Sequence, residues 1–229
     1  MAKLFNSGLD YRVATTLDEV LAAWRLVYAR YNRLGLIKDN PWKLYTVPQA
    51  IQHQSFVIIG SIRGDVASTL TIMHDGNSGL PVESAYEQEI ASLRRNGRRL
   101  LEVGLLADRR EQISRTIDAL MSLFRFPWFN ARYSGCDIVC GVHPHHANFY
   151  KKMFGFERAG SARTYARVRN HPVVLLRLDV ESSFRQARLP RATKVYVDNP
   201  LHESEFGTRC DLMSLAVAES PLAGYLKSI

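Results

Sequence analysis

Glu102 is a lone carboxylate inside the apolar run Leu100-Leu101-Glu102-Val103-Gly104-Leu105-Leu106. Apolar surroundings penalise the charged form and lift a carboxyl toward working pH, where it can take a proton from a reacting group. The competing reading is an ion pair with Arg98, Arg99 or Arg132, which would hold it charged. Tyr150, beside Phe149 and Phe154, is either the wet-tipped member of an aromatic core or a proton donor. The cluster His143-Pro-His145-His146 invites a metal reading. Three imidazoles packed around a proline rarely converge on one ion, and no cysteine or carboxylate set accompanies them. No metal is therefore expected, and contacts at a helix start or with a substrate fit the cluster better. Cys136, Cys140 and Cys210 are an odd number, so a disulfide framework is not expected. Cys136 and Cys140 should share one strand face as buried thiols.

Lysine and arginine exceed aspartate and glutamate by 30 to 22, for a net charge of +8, which points to an acidic partner or a phosphorylated ligand. The arginines at 94, 95, 98, 99, 109, 110 and 115, with Lys151 and Lys152, make up much of that excess. No nucleic-acid-binding motif accompanies it, so nucleic acid is not the expected partner. No apolar run approaches the roughly 20 residues of a membrane span, and the first residues lack a signal-peptide core. The expected location is the cytoplasm.

These groups need elements to hold them. Tyr11–Thr15 reads as a strand, and Thr16 with Glu19 as a capping box. The helix they open carries Val20, Trp24, Val27, Tyr28 and Tyr31 at helical spacing, with Gly35 as its stop. Residues 39–52 are broken by proline and should hold a short helix at most. Ser55–Ile62 and Val66–His74 form a hairpin. A polar helix around Tyr86–Arg95 leads to a buried strand at Arg99–Leu106. A strong helix follows, with Ile113, Ile117, Leu120, Met121 and Phe124 on one face. Asp137–Val142 is a second buried strand, and Pro144 opens a helix ending near Gly155. Glu157–Val168 and Val173–Val180 pair as a closing hairpin; Lys194–Asp198 reads as a strand and Leu212–Ala218 as a helix. The sum is an α/β (α+β) domain, a mixed central sheet with helices on both faces.

Asn148-Phe-Tyr150-Lys-Lys-Met-Phe-Gly155-Phe156 resembles the last block of the GNAT acyltransferases, where a helical tyrosine precedes a Gly-Phe turn. Gly79-Leu-Pro81 through Tyr86, Leu93-Arg94 and Gly97-Arg98-Arg99-Leu100, with Glu102, resembles the FeeM-type long-chain N-acyl amino acid synthases, relatives of the acyl-homoserine lactone synthases. Arg132-Tyr133 with Gly135, then Pro144, His146 and Phe149-Tyr150, fits the same family, as does Arg163-Thr-Tyr165 with Pro172 through Asp179. The likeness covers residues 12–180. It implies a GNAT-like acyltransferase domain over residues 1–181 and an extension over 182–229.

What the resemblance implies is transfer of an acyl group from a carrier-protein or CoA thioester to the amine of an amino acid or similar small acceptor. Glu102 would serve the amine, and Tyr150 would protonate the leaving thiolate. Backbone amides near Leu105, Leu106 and Ala107 would polarise the carbonyl. Arg110, Gln112, Ser114 and Arg115 would hold the donor, and Arg132 and His146 the acceptor. A hydrophobic acyl slot is expected where the strands Arg99–Leu106 and Asp137–Val142 part. Two departures stand out. The synthases carry Glu-x-Ser-Arg where this chain has Glu102-Val-Gly104-Leu105. The glycine turn that many CoA-using relatives place around pyrophosphate at a helix start is replaced by Gln112-Ile-Ser-Arg115-Thr-Ile117. The second departure favours acyl carrier protein, an acidic partner, as donor. An acetyl-CoA-using acetyltransferase and a catalytically idle acyl-binding domain are the alternatives. The sequence leaves the oligomeric state open.

Overall fold

The computed structural model describes residues 8–110, 113–185, 190–213 and 221–228. Its strands are β1 (Asp10–Val13), β2 (Ser55–Ile62), β3 (Asp65–His74), β4 (Arg99–Asp108), β5 (Cys136–Val142), β6 (Glu157–Arg158), β7 (Arg163–Tyr165) and β8 (His171–Leu178). They pair in the order β1-β2-β3-β4-β5-β8-β6, with β7 also on β8. Among the described residues the helices are α1 (Leu17–Arg33), α2 (Glu83–Arg95), α3 (Ile113–Ser134), α4 (Ala147–Phe154), α5 (Val180–Arg185), α6 (Arg191–Asp198) and α7 (Pro221–Leu226). Contacts divide the chain into two units, Met1–Met73 with Gly104–Phe124 and Ser204–Ile229, and His74–Val103 with Arg125–Glu203.

In the first unit the capping box forms as expected. Thr16 Oγ1 accepts the Glu19 N–H at 3.3 Å, and the Glu19 carboxylate accepts the Thr16 N–H at 3.4 Å. The box starts α1 so that Val20, Ala23, Trp24 and Val27 point into the core, with Val57 and Ile59 of β2 and Met73 of β3. The β2–β3 hairpin closes with Ile62 opposite Asp65. Arg63 and Gly64 both have positive φ, 53° and 86°, the two-residue turn whose twist suits paired strands. The end of the chain completes this core: Leu212, Leu222 and Tyr225 are buried in it, and Phe206 packs on Phe56.

In the second unit β4 and β5 run parallel from Arg99↔Cys136 to Glu102↔Val139, and β8 lies antiparallel on the far side of β5. α2 covers the face that carries Leu100, Val139, Val173 and Leu175. Strand alternation sends Leu101, Ile138, Cys140, Val174 and Leu176 to the opposite face, and these are buried too, so both faces are covered. Cys136 and Cys140 share that second face, as expected. α4 ends on Gly155 at φ 84°, where Pro190 packs so closely that a Cβ would lie 2.7 Å from it.

One expectation about the elements needs correction. Lys194–Asp198 is not a strand but part of α6, whose buried Ala192, Thr193 and Tyr196 lie on one helical face, with Tyr196 against Trp128. The alternation Lys-Val-Tyr-Val-Asp imitates a strand, and packing overrides it. The closing hairpin forms as expected, antiparallel, with the stretch Glu157–Val168 divided into two short strands that both pair with β8. The helix expected after β4 spans Ile113–Ser134 and runs through Pro127. The helix expected at Leu212–Ala218 is described only at its first two residues.

Candidate active site

Glu102 lies on β4 two residues after Leu100 and on the same face, the face α2 covers. It is buried, with 5% of its surface exposed. Among the described residues its one hydrogen bond comes from the Val82 N–H, 2.8 Å from Oε2. Burial pushes its carboxyl up to about 8; the Val82 bond and the Arg167 charge pull the other way, and Glu83 adds to the rise. The ion pair offered as the rival reading does not form. Arg98 binds Asp137 and, at 2.6 Å, Asp179, and Arg177 binds the same buried Asp137 at 2.7 Å. Burial thus favours the protonated form of Glu102.

Tyr150 belongs to the same unit, on α4, the helix after β5. It is buried among Phe149, Phe154 and Phe156, with ring centroids 5.7 to 5.9 Å away. His146 and Arg132 are exposed, the first on the turn that starts α4 and the second at the end of α3. His143 stacks on His145 at 5.0 Å and meets His146 edge-on at 6.1 Å. Among the described residues no group of histidines, cysteines and carboxylates is arranged to hold a metal ion.

The donor-side residues fall in the other unit. Leu105 and Ala107 bury their side chains in its core. Leu105 is left-handed, at φ 50°, in the middle of β4. A residue with a side chain avoids that region, so the backbone is strained at this point of β4. The Leu106 backbone bonds the hydroxyl of Tyr31; burial pushes that phenol up to about 12, and this bond opposes the rise. Arg110 pairs with Asp108 at 2.8 Å, and its backbone N–H donates to the same carboxylate at 2.7 Å. Gln112 lies outside the described residues, as do the side chains of Ser114 and Arg115 in the first turn of α3.

Sequence reasoning missed the Val82 amide, Tyr31 and Arg167. A backbone donor carries no residue signature, and Arg167 lies 65 positions from the carboxyl it influences. The left-handed Leu105 was equally hidden, although Gly104 before it marked the strand as irregular.

The sequence profile of N-acyl amino acid synthase FeeM matches residues 22–179, more than half of the chain. The chain belongs to the FeeM family of N-acyl amino acid synthases. It is an N-acyltransferase with the GNAT fold. FeeM from uncultured soil microbes, an N-acyl amino acid synthase of solved structure, is 25% identical to it; the match covers 76% of this chain and 90% of that one, with a TM-score of 0.67. The acyl-homoserine lactone synthase LasI matches at 11% identity over 75% of this chain and 90% of its own, with a TM-score of 0.56. BjaI, a CoA-dependent acyl-homoserine lactone synthase, matches at 9% over 82% and 100%, with a TM-score of 0.53. The last two likenesses concern the fold alone. No curated protein matches significantly. Among the described residues no helix is long and apolar enough to cross a membrane.

Proposed function

We propose that the chain moves a long-chain acyl group from a thioester on a pantetheine arm to the amine of an amino acid or similar small acceptor. Glu102 takes a proton from the attacking amine. The new N–C bond forms as the C–S bond breaks, and Tyr150 returns a proton to the departing thiolate. The observation that carries this reading is the buried Glu102, whose one hydrogen bond among the described residues comes from the Val82 amide and which forms no ion pair among them. A carboxyl pushed up to about 8 matches an ammonium losing its proton at mildly alkaline pH.

Acyl carrier protein is the proposed donor carrier, supported by the net charge of +8 and by the missing glycine turn. Acyl-CoA is the alternative, since BjaI is described as CoA-dependent and has been solved with isopentyl-CoA. The test is Glu102→Gln, assayed with an acyl-carrier-protein donor and a panel of amino acids. Turnover should fall roughly 10²-fold with donor binding retained. A variant that turns over at the wild-type rate removes Glu102 from the chemistry.

A further inference from the structure

Whatever fixes Val82 also fixes the Glu102 carboxyl, because the Val82 N–H is the hydrogen bond that reaches it. Val82 ends the segment joining β3 to α2. Residues Asp75 to Gly79 of that segment, with Glu83 and Arg94, line an open groove of about 590 Å³. Arg94 ties the groove together. Its Nε and Nη2 each lie 2.7 Å from the Asp75 carboxylate, and its Nη1 and Nη2 lie 2.8 and 2.5 Å from that of Glu83. Both carboxylates are anchored in turn. The Asp75 N–H donates to the Leu100 carbonyl at 3.1 Å, two residues before Glu102 on β4. Glu83 Oε1 accepts the Leu80 N–H at 2.5 Å. The segment wraps this carboxylate so tightly that a Cβ on Gly79, at φ 62°, would sit 2.6 Å from Oε1.

A straight helix would separate residues 83 and 94 by about 16 Å, far beyond one ion pair. α2 is not straight: Tyr86 leaves helical geometry at φ −134°, ψ 38°, and the break turns Glu83 back toward Arg94. Tyr86 is held there by its hydroxyl, 2.8 Å from the Ser161 carbonyl and 2.7 Å from that of Val173. The kink and the clamp therefore belong to one construction, and its far end is the amide on Glu102.

We infer that Arg94, acting through Asp75 and Glu83, is a positioning residue for the reaction: it holds the segment that seats the Val82 amide on Glu102, and it offsets the Glu83 charge that this carboxyl feels. The inference rests on the reading of Glu102 as the base. The groups acting on Glu102 are the Val82 amide and Glu83 from the segment and α2, Arg167 from the turn after β7, and Cys140 of β5. The Cys140 thiol is itself pushed up, by burial first and by Glu102 second. Arg94→Gln leaves the Glu83 charge unopposed, so Glu102 should ionise at higher pH. Glu83→Gln removes the like charge, so it should ionise at lower pH. A clamp that merely held the fold would loosen in both variants and move them in the same direction.

The experiment measures kcat/KM against pH for the wild type, Arg94→Gln and Glu83→Gln. In each background it also measures the difference in urea-unfolding stability made by Glu102→Gln across the same pH range. The midpoint should rise by about half a pH unit or more in Arg94→Gln and fall by a similar amount in Glu83→Gln. Arg94→Lys keeps the charge without the fork; it should restore the midpoint while leaving kcat low. Midpoints that stay put, or move together, overturn the inference. If Glu102→Gln leaves the wild-type kcat/KM profile intact, the base reading has failed and the unfolding data alone decide the clamp. If Arg94→Gln does not fold, Arg94→Lys and Glu83→Gln still give the sign.

Discussion

The burial of Glu102 makes a prediction that does not depend on catalysis. A carboxyl with an ordinary value of 4.5, held at about 8 in the folded chain, binds its proton more tightly folded than unfolded. Its contribution to stability is therefore complete below about pH 4.5 and is lost as pH rises toward 8. Glu102→Gln replaces it with a neutral side chain of the same shape, whose Oε1 can still accept the Val82 N–H. All other titrations cancel in the difference between the two proteins. That difference should grow in favour of the glutamine variant by up to about 1.4 kcal/mol per pH unit between roughly pH 5 and 8. It should level off above 8, having reached at most about 5 kcal/mol. The assay is urea unfolding of both proteins from pH 5 to 9, read by far-UV circular dichroism. A stability difference that stays flat across this range would mean that Glu102 is charged in the folded protein, and the proposed base would go with it.

Three further predictions concern the reaction. Tyr150→Phe keeps the ring among Phe149, Phe154 and Phe156 and deletes the hydroxyl; turnover should fall at least about tenfold with stability changed by under about 1 kcal/mol, and a variant that works normally once folded makes the hydroxyl architectural. If the acyl chain is bound in an apolar slot, each added CH₂ should contribute about 0.8 kcal/mol, so donor affinity should climb roughly fourfold per carbon from acetyl upward; equal affinity for acetyl and long-chain thioesters would refute the long-chain assignment. Turnover with an acyl-carrier-protein donor should fall with added salt and with charge reversal at the exposed Arg95 and Arg109, while turnover with a small pantetheine thioester changes little; equal salt sensitivity for both donors would refute recognition of the carrier by these arginines.

The choice of Arg95 and Arg109 shows where the sequence informed and where it did not. Read along the chain, the arginines around β4 form one basic set. In the structure Arg94 is spent on Asp75 and Glu83, Arg98 on Asp137 and Asp179, and Arg110 on Asp108. Asp75 and Asp179 lie 19 and 81 residues from the arginines they bind, a distance no local pattern covers. What periodicity does govern was legible: the capping box at Thr16, the buried strand around Glu102, the paired faces of Cys136 and Cys140. The failure at Lys194–Asp198 has the same origin as the arginines, since the partner that fixes α6, Trp128, is far away in the sequence.

Leu105 carries this point to the site itself. Leu105 stands where the resemblance implies an arginine, and the run Val103-Gly104-Leu105-Leu106 reads as an unbroken strand. The backbone nonetheless turns left-handed at Leu105, one residue after the glycine that could have adopted that conformation freely. Holding a leucine there costs about 1–3 kcal/mol, and such conformations persist where the surroundings over-determine them. Here the surroundings are visible: the Leu105 side chain is buried in the core that also holds Trp24, Val57 and Ile59. The core thus fixes the side chain of a residue whose backbone is strained, and the Leu106 backbone next to it bonds the Tyr31 hydroxyl. The left-handed turn at Leu105 is thus a backbone feature held in place by side-chain packing.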